Sequence, residues 1–193
     1  YPYWVTEYNF FTQDNKLPGL WVTGLANVVM TAQMISTPGI ELVCFHNLTA
    51  SSVSSVIYDS DTKIASGAVA KKYALSASGQ GLKVFTRAQK DAKAVNRLIF
   101  NDNPVCKSRS RDYHALYGYL FTGADNKVLV VNFSDKAMTI DLEGLGFMAK
   151  TAEQVWTKSL YTPIVDDKSV LSEIKKISDK RFTLKPYSVT LIK

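Results

Sequence analysis

Two stretches, Tyr3-Trp4-Val5-Thr6-Glu7-Tyr8-Asn9 and Ile40-Glu41-Leu42-Val43-Cys44-Phe45-His46-Asn47, decide the reading of the first part of this chain. Tyr3-Trp4-Val5 has strand composition and turns polar at Thr6-Glu7. Ile40 to Phe45 is nearly continuous in apolar residues, broken by Glu41, and suits a strand buried on both faces of a parallel sheet. Between them a polar loop, Gln13-Asp14-Asn15-Lys16, leads to Pro18-Gly19. Trp21, Leu25, Val28, Val29, Ala32 and Ile35 then recur at helical spacing until Pro38-Gly39 ends the pattern. The spacing therefore predicts strand, helix, strand, with Tyr3–Thr6 parallel to Ile40–Phe45 through a right-handed crossover. A Ser/Thr-rich loop from Asn47 to Thr62 follows. Val69, Tyr73, Ala74 and Ala77 predict a second helix with Gly79 as its cap.

The pattern changes near Gly79 to Lys83. Lys83–Thr86, Ala94–Phe100, Ala115–Phe121, Lys127–Phe133 and Met138–Leu142 read as short strands separated by Asn/Asp/Gly/Ser turns. Thr151–Ser159, Arg181–Leu184 and Ser188–Ile192 continue them, and Ser169–Ile177 fits either a strand or a short helix. Alternation such as Phe182/Leu184 and Val189/Leu191 suits sheets with one wet face. The expected class is α+β: a strand-helix-strand-helix remnant of a (β/α) barrel over residues 1–80, then an antiparallel β-sandwich over 81–193.

Composition narrows the class further. The 193 residues are 46% hydrophobic and 21% charged, which excludes disorder. No apolar stretch approaches the ~20 residues of a membrane span. The net charge of +6 is mild and its lysines are dispersed, so neither nucleic acid nor membrane is an expected partner. Two cysteines with no CxxC or His/Cys cluster leave no expected metal or cofactor site. The chain opens in a strand at Tyr1 without a leader pattern, which suggests a fragment or processed product.

In α/β barrels functional residues sit where strands end. Glu7 is at such a point, flanked by Thr6, Tyr8 and Asn9, and a carboxylate there can attack an anomeric carbon. His46 and Asn47 end the second strand on the same rim and can hydrogen-bond sugar hydroxyls. From spacing alone, Glu7 reads first as an ordinary strand-end residue, and His46 equally as a structural histidine or a substrate contact. Trp4 and Trp21 read as core, Cys44 and Cys106 as unpaired thiols, and His114 as structural. The triplets Asn47-Leu48-Thr49 and Asn132-Phe133-Ser134 match the glycosylation sequon by chance.

Trp4-Val5-Thr6-Glu7-Tyr8-Asn9 resembles the seventh barrel strand of retaining clan-A glycoside hydrolases, the group that includes α-L-arabinofuranosidases. The Gly24-Leu25-Ala26 helix, the Pro38-Gly39-Ile40-Glu41 turn, the Gly67 to Ala77 segment and the closing Leu184-Lys185-Pro186-Tyr187-Ser188-Val189 are similar to the last barrel units and sandwich of arabinofuranosidase-like members. The resemblance implies that Glu7 is the nucleophile, with Tyr8, Asn9, His46 and Asn47 at the substrate. It also implies an oligosaccharide or polysaccharide substrate and a secreted or periplasmic parent. The family's general acid sits on an earlier strand as Asn-Glu, and that dipeptide is absent here. This chain is therefore expected to lack the acid and to be inactive alone. Its apolar first strand should seek the upstream barrel portion or a second copy. The alternative is a non-catalytic carbohydrate-binding or structural sandwich, in which Tyr113, Tyr117 and Tyr119 form a strip.

Overall fold

The computed structural model describes residues 1–9, 16–50, 54–64, 66–107 and 112–193, so most of the Gln13–Lys16 loop lies outside the described residues. The chain is mixed α/β, mostly strands with two α-helices, and divides into two compact units. Tyr1–Lys83 with Ser159–Leu171 form one, and Val84–Lys158 with Ser172–Lys193 the other.

In the first unit β1 (Tyr3–Tyr8) pairs in parallel with β2 (Ile40–Phe45), as the sequence predicts. The helix between them, α1 (Trp21–Ile35), has the boundaries its periodicity indicates. Trp21, Leu25, Val28 and Ala32 are fully buried along one face. Burying such a stripe stabilises the helix by about 25 cal/mol per Å2 of apolar surface removed from water.

The second helix, α2 (Ala77–Gln89), starts where the predicted one should end, and Lys83–Thr86, read as a strand, lies inside it. Val69–Ala70 instead pairs antiparallel with Thr62–Lys63, and Tyr73 has φ +65°, which no helix tolerates. Gly79 and Gly81 are packing residues rather than caps. A Cβ at Gly79 would sit 2.2 Å from the Val56 carbonyl oxygen, and one at Gly81 2.7 Å from that of Gly24. Hydrogen removes those clashes, so α2 meets the Gly24 turn of α1 at backbone distance.

Ser159–Leu171, read as part of the sandwich, instead packs with the first unit. The Trp21 and Val22 amides donate to the Thr162 and Leu160 carbonyls at 3.0 and 2.8 Å, satisfying donors that the start of α1 leaves open. Ile164 is fully buried there. Lys71 binds the Asp166 carboxylate at 3.1 Å, and that hydrogen bond is the largest of several holding the carboxyl below its usual range.

Tyr58 is fully buried, donates to the Ile164 carbonyl at 3.3 Å, and burial pushes its phenol up to about 12. An unfolded phenol titrates near 10, so this stabilisation is complete below about pH 10 and is lost as pH rises towards 12. At about pH 11 the loss is about 1.4 kcal/mol. Denaturant midpoints at about pH 8 and about pH 11 should show Tyr58→Phe losing that much less than wild type on the alkaline side. An equal alkaline loss in both proteins would contradict the assignment.

The second unit holds a six-stranded sheet in the order Leu171–Lys176, Thr151–Trp156, Ser188–Ile192, Lys127–Asn132, Leu116–Gly123, Ala92–Leu98. The pairings from Thr151–Trp156 across to Ala92–Leu98 are all antiparallel. Within Ser169–Ile177, Leu171–Lys176 is thus an edge strand that follows a 3-10 turn ending at Ser169, with its lysines guarding the open edge. Met138–Asp141 and Arg181–Leu184 form a separate antiparallel pair. Ile140, Phe182 and Leu184 of that pair join Leu116, Val128, Val130, Ala152 and Ile192 of the large sheet in one buried cluster. The two sheets thus share one apolar core. Phe121 packs edge-on to Phe85 of α2, with centroids 6.0 Å apart.

Candidate active site

Because β1 and β2 are parallel, their C-terminal ends share one rim. Val5 pairs with Val43 and Tyr8 with Phe45, so three steps along β1 match two along β2. The extra residue falls at Thr6-Glu7 and forms a bulge, a device that redirects side chains. Val5 and Tyr8, on either side, are half-buried, while Thr6 and Glu7 are exposed. The His46 amide donates to the Tyr8 carbonyl at 2.9 Å and ties the two strand ends together. The imidazole Nδ1 of His46 lies 3.6 Å from Oε1 of Glu7, an ion-pair distance, with both side chains more than half exposed. An unburied carboxylate on a fixed strand end is open to an electrophile, and the imidazole beside it can hold a charge or hydrogen-bond a hydroxyl.

The other candidates have distinct positions. The Tyr8 ring packs edge-on to Phe45 with centroids 5.4 Å apart, and its hydroxyl hydrogen-bonds Thr31 Oγ1. Burial raises the Tyr8 phenol above its ordinary value; the Thr31 bond opposes this and Cys44 adds to it. Asn9 spans both strand ends: its amide donates to the His46 carbonyl and, at 2.8 Å, to the Ser54 carbonyl. Asn47 is half-buried, with its carbonyl accepting from the Val56 amide at 3.0 Å. Its Oδ1 is buried with no hydrogen-bond partner among the described residues. The structure thus brings Glu7, Tyr8, Asn9, His46 and Asn47 into one strand-end cluster.

Trp21 is core as expected, whereas Trp4 is 65% exposed, because among the described residues β1 and β2 form a two-stranded sheet. Periodicity missed Asn27 and Thr31, polar residues buried on α1 beside Asn9 and Tyr8; a helical search for apolar positions passes over them. Among the described residues no group of three or more His, Cys, Asp or Glu could hold a metal ion. No described helix is long and apolar enough to cross a membrane.

In the second unit, Tyr119 is buried, its phenol pushed up to about 12 by burial, and Tyr113 and Tyr117 pack edge-on to Phe133. That arrangement leaves no flat strip of three exposed rings. Asn132 is fully buried, with its amide donating to the Lys136 and Lys185 carbonyls at 2.9 Å each, so its sequon is internal structure. Cys44 and Cys106 are free thiols.

No protein-family model and no curated protein sequence matches the chain. Solved structures do. The GH51 α-L-arabinofuranosidase of Thermotoga petrophila RKU-1 matches 98% of this chain at TM-score 0.62 and 18% identity. The GH51 arabinofuranosidase of Xanthomonas axonopodis pv. citri matches 98% at 0.65 and 12%, and GH30 xylanase C of Talaromyces cellulolyticus 98% at 0.59 and 15%. These matches span only 42%, 40% and 40% of the respective enzymes. At such identities the likeness is one of fold, and in fold this chain is similar to about two fifths of each of these glycoside hydrolases.

Proposed function

We propose that this chain is the nucleophile-bearing C-terminal part of a retaining glycoside hydrolase of the arabinofuranosidase-like kind. In this reading β1, α1, β2 and α2 are the closing units of a (β/α) barrel and the second unit is its sandwich. The observation that carries the proposal is Glu7 beside His46 at the ends of two adjacent parallel strands, 3.6 Å apart and open to solvent. The fold likeness to about two fifths of known glycoside hydrolases supports it.

Glu7 is the residue that attacks the anomeric carbon, forming a glycosyl-enzyme as the aglycone leaves. His46 and Asn47 lie where they can bind sugar hydroxyls, with Tyr8 and Asn9 behind them. The general acid is supplied by the earlier barrel strands, because retaining hydrolysis needs a second carboxyl about 5–5.5 Å from the nucleophile and Glu7 is paired here with an imidazole. The substrate of the complete protein is an oligosaccharide or polysaccharide, and export to the periplasm or exterior is the setting that suits it.

Tyr3 and Trp4, 68% and 65% exposed on β1, with Leu42 on β2, are the surface that the preceding barrel strands cover. Purified without them, the chain should self-associate through that edge or carry a co-purified upstream piece. Light scattering with intact mass spectrometry checks this. A dispersed monomer with no second polypeptide would count against the barrel reading. The direct test of function is turnover by the assembled enzyme, meaning this chain with the strands that complete its barrel, and the loss of that turnover in Glu7→Gln.

A further inference from the structure

We propose that Asn27 is a positioning residue for Glu7, acting with Thr31 through the two residues that follow the carboxylate. The buried face of a helix is ordinarily apolar. On α1, Asn27 is fully buried and Thr31 is 6% exposed, one turn apart on one face. Thr31 Oγ1 donates to the Asn27 carbonyl at 2.6 Å and also meets the Tyr8 hydroxyl. Asn27 Nδ2 donates to Ser78 Oγ at 2.7 Å and to Asn9 Oδ1 at 3.4 Å. Asn9 in turn donates to the His46 and Ser54 carbonyls. One buried row on α1 thus fixes the residues after Glu7, the end of β2 that carries His46, and the loop at Ser54.

A second observation separates this network from ordinary packing. Asn27 Oδ1 is buried with no hydrogen-bond partner among the described residues, a cost that an apolar residue of similar volume would avoid. Asn27 therefore sits at a stability penalty where it can hold Asn9. Glu7 lies within the β1 bulge and directly before this clamp, which fixes the backbone that follows it. Reacting groups must be held within about 0.5 Å of their working geometry, and a misplacement of about 1 Å costs about 10²-fold in rate. The catalytic consequence rests on Glu7 being the nucleophile; the clamp itself does not.

The test is NMR on the chain itself. In folded Asn27→Leu, the through-space contact between the Glu7 side chain and the His46 ring is expected to vanish. The Asn9 side-chain amide protons should exchange about tenfold faster. Ile64→Val, a buried site outside the network, should lower stability and leave both signals unchanged. If Asn27→Leu does not fold, Ser78→Ala removes one of the two partners of the Asn27 amide and should weaken the same signals. An unaltered Glu7–His46 contact with protected Asn9 protons in either folded variant would overturn the proposal. That result is independent of the role of Glu7 in catalysis, which the Glu7→Gln assay tests separately.

Discussion

Glu7→Gln in the assembled enzyme is expected to lower kcat on aryl glycosides by about 10⁴-fold or more, with a far smaller change in KM. Gln keeps the size and hydrogen-bonding outline of Glu but cannot form the glycosyl ester. Ground-state contacts to the sugar survive, and the interaction made only on the way to the covalent intermediate is lost. The exposed placement of Glu7 limits the structural cost of the change, so thermal stability should stay within about 0.5 kcal/mol of wild type. The contact with His46 is solvent-exposed and contributes little to folding. Steady-state kinetics and a melting curve on the same preparation check both halves. A kcat reduced less than tenfold, in a protein of unchanged stability, would remove Glu7 from the reaction.

The chain by itself is expected to show no turnover of aryl glycosides. Loss of general acid catalysis typically removes about 10²–10⁴-fold. On the proposed reading the rest of a barrel wall is missing as well, and with it the orientation of the sugar, a larger effect in well-positioned reactions. The β1 edge and its exposed Tyr3 and Trp4 also leave the rim without its neighbour on that side. Overnight assays of pure chain at high concentration, with Glu7→Gln as the blank, measure this. Turnover that disappears in Glu7→Gln would mean that a carboxyl within these residues serves as the acid.

Local pattern made β1, α1 and β2 legible, because an apolar run, a helical stripe and a Pro-Gly stop each have one common structural solution. Polarity arriving at Thr6-Glu7 marked the candidate rim, although β1 stays paired with β2 through Tyr8. The second helix was misplaced because Gly79 and Gly81 look like terminators. Their actual cause is a close backbone approach to Val56 and Gly24, which only the folded chain displays. Ser159–Leu171 carries no local signal of its home, since its partners are backbone groups at the start of α1, the Tyr58 hydroxyl and the Lys71 ammonium. Asn27 and Thr31 were invisible for a related reason: a buried polar residue on an apolar face is defined by what it touches, and Tyr8 and Asn9 are distant in sequence.

The most direct measurement is to trap the covalent intermediate. A 2-deoxy-2-fluoro glycoside with a good leaving group slows both steps of a retaining hydrolase, hydrolysis of the intermediate more than its formation, so the glycosyl-enzyme accumulates. After digestion of the inactivated assembled enzyme, peptide mass spectrometry should find a single sugar adduct. The predicted result is an ester on Glu7, within the peptide that contains Trp4-Val5-Thr6-Glu7-Tyr8-Asn9. An adduct on any other carboxylate, in an enzyme shown to be active and retaining before labelling, would contradict the assignment.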